Sequence, residues 1–147
     1  MALTFQIEPA TSGDFSAIES LLLAASLTTD GLRDQFPDAY VVARLGDVVI
    51  GAAGLERYGA SALLRSVVVV SEQRGHGIAR SLVEERLAAA RQAEVTRVFL
   101  LTTTADSYFG GLGFQQTPRD SAPVALAASP EFARACPASA TCLSRAP

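Results

Sequence analysis

The apolar positions change period several times along the chain, and each change marks an element. "LTFQIEPA" alternates and predicts a short strand closed by Pro9. In "TSGDFSAIESLLLAAS" the residues Phe15, Ile18, Leu21, Leu22 and Ala25 recur at helical spacing, which predicts a helix capped by Ser12 or Asp14. "LTTDGLRDQFPD" is polar and broken by Gly31 and Pro37, a loop with room for one helical turn. Three strands follow: "AYVVARL", "DVVIGAAGLERY" and "SALLRSVVVV". Turns around Gly46-Asp47 and Gly59-Ala60 join them into an antiparallel meander. Gly51 and Gly54 inside the second of these strands predict a bulge or a close backbone approach.

The valine run Val67 to Val70 reads as a strand covered on both faces. Past "SEQRGHG" the period becomes helical again, through Ile78, Leu82, Val83 and Leu87, and a helix should continue to about Gln92. "TRVFLLTT" is another buried strand. Strand, helix and strand at this spacing form a crossover, so the strands on either side should be parallel neighbours. "ADSYFGGLGF" predicts a short helix ended by Gly113, and "FQQTPR" a further strand. The tail from Asp120 mixes Ala, Ser and Pro, with a helical turn near "PEFARA" and a last strand at "SATCLSR". The class is α+β: a mixed, mostly antiparallel sheet of six or seven strands with helices on both faces. Residues 1–147 should form a single domain, since no repeat or linker interrupts them.

Composition narrows the function. A net charge of −3 gives no general pull towards nucleic acid or an anionic membrane. No apolar stretch approaches the roughly 18 residues needed to span a bilayer. The N-terminus lacks the basic and apolar regions of a secretory signal, and two cysteines without such a signal suit a reducing cytoplasm.

The chemistry centres on Arg74-Gly75-His76-Gly77-Ile78-Ala79, between a buried strand and a helix. Bare N–H groups at a helix N-terminus bind anions, and glycines let a phosphate approach closely. Ile78-Ala79-Arg80-Ser81 lacks the Lys-Ser/Thr pair of a nucleotide P-loop. A dinucleotide fold would place such a turn after the first strand of a parallel sheet, not after an antiparallel meander. The segment does match Arg-x-x-Gly-x-Ala, and it resembles the coenzyme A pyrophosphate loop of the GNAT N-acetyltransferases. "SYFGGLGF" after the next strand strengthens the resemblance. "ALLRSVVVV", "RGHGIARSLVE" and "FLLTTTADSYFGGLGF" look like the branch containing acetylglutamate-synthase-type enzymes. The tail "EFARACPASATCL" resembles the ArsN-type acetyltransferases associated with arsenic resistance.

The resemblance implies acetyl-CoA as co-substrate, with no metal, and acidic amino acids such as phosphinothricin or arsinothricin as acceptors. It implies that backbone groups of Val67, Val68 and Val69 pair with the pantetheine. Gly75, His76, Gly77, Ile78 and Ala79 would hold the pyrophosphate, with Arg74 adding a charged contact. Many members of the family carry a tyrosine where Phe109 stands, to protonate the leaving thiolate. Tyr108 is one residue early, about 100° round a helix, and is either that acid or a pocket wall. Phosphinothricin acetyltransferases look to have a Glu where Leu64 stands. Glu56 is then the candidate base, or else a solvated carboxylate at a strand end.

Arg65 lies in an otherwise apolar strand, and its planar fork suits either a substrate carboxylate or a structural salt bridge. Thr102 and Thr103, with Thr104, end a strand and would bind cofactor or substrate, or cap the next helix. His76 is the only histidine and points to solvent or to the adenosine phosphate. Cys136 and Cys142 are either small buried thiols or ligands of trivalent arsenic. Three functions remain open: acetylation of a small-molecule amine, a non-catalytic acyl-CoA sensor, and protein N-acetylation. A homodimer is open to all three.

Overall fold

A computed structural model describes residues 4–135 and 139–147. Among them the chain forms seven strands in one sheet of order β1-β2-β3-β4-β5-β7-β6. The first is β1 (Gln6–Pro9), followed by α1 (Phe15–Ala24). The meander is β2 (Tyr40–Leu45), β3 (Val48–Tyr58) and β4 (Ser61–Val69). Then come α2 (Ile78–Gln92), β5 (Arg97–Thr102) and α3 (Asp106–Gly110). The tail forms β6 (Gln115–Gln116), α4 (Val124–Ala127), a wide helical turn (Glu131–Ala135) and β7 (Thr141–Arg145).

The hydrophobic pattern dictates the layering. Leu82, Val83, Leu87 and Ala90 pack α2 against Ile50, Leu55 and Leu64 on one face of the sheet. Phe15, Ile18 and Leu22 pack α1 against Val42, Ala52 and Val68 on the other. Leu126 and Phe132 of the tail cover Leu63 and Phe99 beside them. β4 and β5 are parallel, as the crossover requires.

The chain departs from the expected boundaries in four places. A 3-10 turn at Ser12–Asp14 precedes α1, and the Asp14 carboxylate accepts the Thr11 N–H at 2.8 Å instead of capping forward. α3 stops at Gly110, and Gly113, at φ +92°, belongs to the turn beyond it. β6 is only two residues long. β7 does not add to an edge; it inserts between β5 and β6.

Gly54 allows the close approach expected of it: a Cβ there would lie 2.4 Å from the Tyr40 ring. The expected bulge is on β3 beside Gly51, where Ala43 pairs with Gly51 but Arg44 with Val49; a second falls opposite, on β4. Gly54 pairs with Arg65 but Ala52 with Val68, so β4 carries one extra residue, and Ser66 takes φ +58°.

Candidate active site

β4 and β5 pair only as far as Leu63 and Phe99. Beyond that point β5 continues against β7 while β4 stays with β3, so the parallel strands part. A cavity of about 230 Å³ opens there, lined by residues 64–67, residues 100–105, Phe109 and Glu131. The β4 bulge sets which side chains face it. Leu64 and Val67 both pack under α2, although an unbroken strand would place them on opposite faces.

Arg65 is buried, at 3% exposure. Its Nη1 is 3.5 Å from Glu56 Oε2 and its Nε 3.7 Å from Glu131 Oε1. Nε also donates to Ser66 Oγ at 3.1 Å. Among the described residues, Arg65 Nη1 and Nη2, Glu56 Oε2 and the Tyr40 hydroxyl are the buried side-chain atoms left without a hydrogen bond. Burial works against the Arg65 charge, but the Tyr40 oxygen and the two carboxylates outweigh it. Both readings of Arg65 thus keep a footing: it has acidic neighbours, and two of its nitrogens await an acceptor.

Glu56 is no solvated carboxylate. It is 1% exposed, and its Oε1 accepts the Tyr58 hydroxyl at 3.0 Å. Burial raises its pKa, with Arg65 opposing. Burial also pushes Glu131 up to about 7; Arg65 draws it down and Glu56 pushes it up. The Tyr40 phenol is pushed up to about 12, again by burial. Thr102 and Thr103 line the same cavity, and Thr102 Oγ1 accepts the Ala105 N–H at 2.9 Å, which caps the turn into α3.

The glycine loop borders a second cavity, of about 390 Å³. Val69, Arg74, Gly75 and residues 77–80 line it, with Tyr108 opposite. Gly77 is the N-cap of α2 at φ +77°, and no side chain caps the helix. The donors at the start of a 15-residue helix therefore face open space. Arg74 Nε donates to the Val69 carbonyl at 3.3 Å, tying the loop to the end of β4. His76 is exposed and does not line the cavity. Val68 points its side chain into the α1 layer, so its contribution here would be its backbone.

The sequence matches the acetyltransferase (GNAT) family model over residues 6–114. The chain belongs to the GNAT family. Its seven-stranded mixed sheet is the GNAT fold. No curated protein matches the sequence. Solved structures do. N-acetylglutamate synthase from Neisseria gonorrhoeae, complexed with coenzyme A and N-acetyl-glutamate, superposes with a TM-score of 0.84 at 19% identity. That match covers 99% of this chain but 36% of the synthase chain, so this chain spans about a third of that protein. Rv2747 from Mycobacterium tuberculosis, in complex with CoA, gives 0.77 at 22% identity, covering 97% of this chain and 99% of the other. Ard1 from Thermoplasma volcanium gives 0.72 at 18%, covering 97% of each. At such identities the likeness is one of fold.

Two further placements bear on the GNAT chemistry. Tyr108 is half exposed in the loop cavity, whereas Phe109 lines the cleft between β4 and β5. Burial raises the Tyr108 pKa, with Arg80 opposing. Cys142 is buried among Leu63, Phe99 and Phe132, and burial pushes its thiol up. Cys136 lies outside the described residues. Glu131, Tyr40 and Tyr58 complete the polar cluster, and the sequence reading missed all three. The one signal was Arg65 itself, a cation in an apolar strand that demanded an acidic partner.

Proposed function

We propose that this acetyltransferase moves the acetyl group of acetyl-CoA to the amino group of a small acidic amino acid, or of a phosphorus or arsenic analogue such as phosphinothricin or arsinothricin. The observation that supports this most is the Arg65 guanidinium. Arg65 is among the residues that line the cleft cavity, its side chain is wholly buried, and Nη1 and Nη2 have no hydrogen-bond acceptor among the described residues. A substrate carboxylate would supply the two acceptors in the planar geometry that a guanidinium matches. The ArsN-like tail "EFARACPASATCL" favours the arsenic-containing analogue and a role in arsenic resistance.

Acetyl-CoA supplies an activated thioester. The residues present fit it. The uncapped start of α2 and the amides of residues 75–79 suit a pyrophosphate, and Arg74 and Arg80 add positive charge. Past Leu63 the β5-facing backbone groups of β4, including those of Val67 and Val69, have no strand partner and would hold the pantetheine amides. Arg65 fixes the acceptor by its carboxylate, which converts an encounter into a positioned reaction. Glu56 and Glu131 stand beside it, two carboxylates of which one is to accept the amine proton.

Release of free thiol from acetyl-CoA tests the reading, with glutamate, phosphinothricin, arsinothricin, lysine and a short peptide as acceptors. Turnover of the acidic amino acids is expected; turnover of the peptide alone would contradict it.

A further inference from the structure

The two carboxylates beside Arg65 are not equivalent. Glu56 stands behind the arginine, outside the residues that line the cleft cavity. Its Oε1 is committed to the Tyr58 hydroxyl and its Oε2 faces Arg65 Nη1. Its side chain is 1% exposed. Glu131 comes from the other side, on the wide turn after α4, and lines the cavity. Its side chain keeps 7% exposure, and it pairs with Arg65 Nε at 3.7 Å. Of the two carboxylates only Glu131 lines the cavity, so an amine held there lies beside Glu131, with Glu56 on the far side of the guanidinium.

We propose that Glu131, and not Glu56, takes the proton of the attacking amine. Glu56 holds the guanidinium in place and acts as a positioning residue. The inference rests on the acetyltransferase reading above. The substrate ammonium gives one proton to a Glu131 oxygen. The nitrogen lone pair then bonds to the acetyl carbonyl carbon, and the carbon–sulfur pair leaves on sulfur. The second nitrogen proton departs with the sulfur as free thiol, and Glu131 returns its proton to solvent. The groups around Glu131 are Arg65 on β4, Glu56 on β3 and Tyr40 on β2, with Tyr58 and Asp34 acting on Glu56 behind them. Burial, with Arg65 opposing and Glu56 adding, holds Glu131 at about 7, where about half of it is ionised in neutral solution and the ionised form is basic enough to accept a proton.

The test compares wild type, Glu131→Gln and Glu56→Gln by thiol release across pH 5.5 to 9.5, with glutamate and phosphinothricin as acceptors. Acetyl-CoA affinity, by calorimetry, certifies that each variant is folded. Wild-type kcat should rise through an apparent pKa near 7. Glu131→Gln should lose at least about a hundredfold at neutral pH, within the range general-base assistance provides. Its rate should instead climb steadily as the free amine appears. Glu56→Gln should keep the limb and move it to lower pH, because removing that negative charge eases ionisation of Glu131. A limb unchanged in Glu131→Gln, or abolished in Glu56→Gln, overturns the inference. Should Glu131→Gln fail to fold, the wild-type profile decides: a limb at the pKa of the free amine overturns it. A wild type that acetylates neither acceptor overturns the substrate reading, and the inference with it.

Discussion

Tyr108 and Phe109 are adjacent in α3, yet they border different cavities. The Phe109 ring stacks edge-on against Phe114, 5.9 Å between centroids, and closes the cleft where the strands part. Tyr108 turns towards Arg80 and the glycine loop. A hydroxyl there is poorly placed to protonate a thiolate leaving from the cleft. Tyr108→Phe removes only that oxygen and keeps the ring, so kcat should fall less than about tenfold, below the usual effect of a general acid. Stopped-flow thiol release measures this; a hundredfold loss would mean that α3 presents Tyr108 to the leaving group.

Gly77 and Gly59 both take positive φ, +77° and +68°, and a Cβ on either meets nothing within 4 Å. Alanine at either site should therefore cost a similar amount of stability, about 1–2 kcal/mol for the left-handed backbone. Only Gly77 borders the loop cavity. Gly77→Ala should weaken acetyl-CoA binding at least tenfold by calorimetry, and Gly77→Val should abolish it, while Gly59→Ala leaves affinity unchanged. Equal affinities in all variants would remove the pyrophosphate from this loop.

Glu131 makes stability depend on pH in a particular direction. Its pKa is about 7 in the folded protein against an ordinary 4.5. The folded state therefore holds a proton that the unfolded chain releases between those values. The associated stability is full below pH 4.5 and lost as pH rises through about 7, on the order of 3 kcal/mol in all. Glu56, raised for the same reason, adds in the same sense. Asp14 acts oppositely at lower pH. Burial would raise it, but hydrogen bonds from Arg44 and Thr11 hold it low, so its contribution fades only as pH falls below the usual carboxylate range. Urea midpoints at pH 5 and pH 8 should show wild type losing stability across that interval and Glu131→Gln losing markedly less. Parallel slopes would place the titrating group elsewhere.

The parts of this molecule that depend on nearby residues were legible in the sequence. The period change at Ile78 marked the start of α2, and Gly51 and Gly54 marked the irregular stretch of β3. The glycine loop was found by the same means, because its function needs only consecutive backbone groups. Long-range pairing was not legible. Glu131 reaches Arg65 because the tail folds across the α1 side of the sheet before β7 inserts beside β5. Neither the turn at "PEFARA" nor the strand at "SATCLSR" announces its neighbours. The burial of Glu56 was hidden for a related reason: a carboxylate two residues from a strand end looks solvated until Tyr58 and the tail cover it.

The central claim is that Arg65 grips the carboxylate of the acceptor, and Arg65→Lys tests it most directly. Lysine keeps the charge between Glu56 and Glu131 but loses the planar pair of free N–H groups. Steady-state kinetics with glutamate and phosphinothricin should show KM for the acidic amino acid raised about 30-fold or more, from loss of about 2 kcal/mol or more of desolvated charged contact. KM for acetyl-CoA should stay within about twofold, because its proposed contacts lie along β4 past the bulge and on the glycine loop. Equal small changes in both constants would contradict the account and leave Arg65 as a buried structural ion pair.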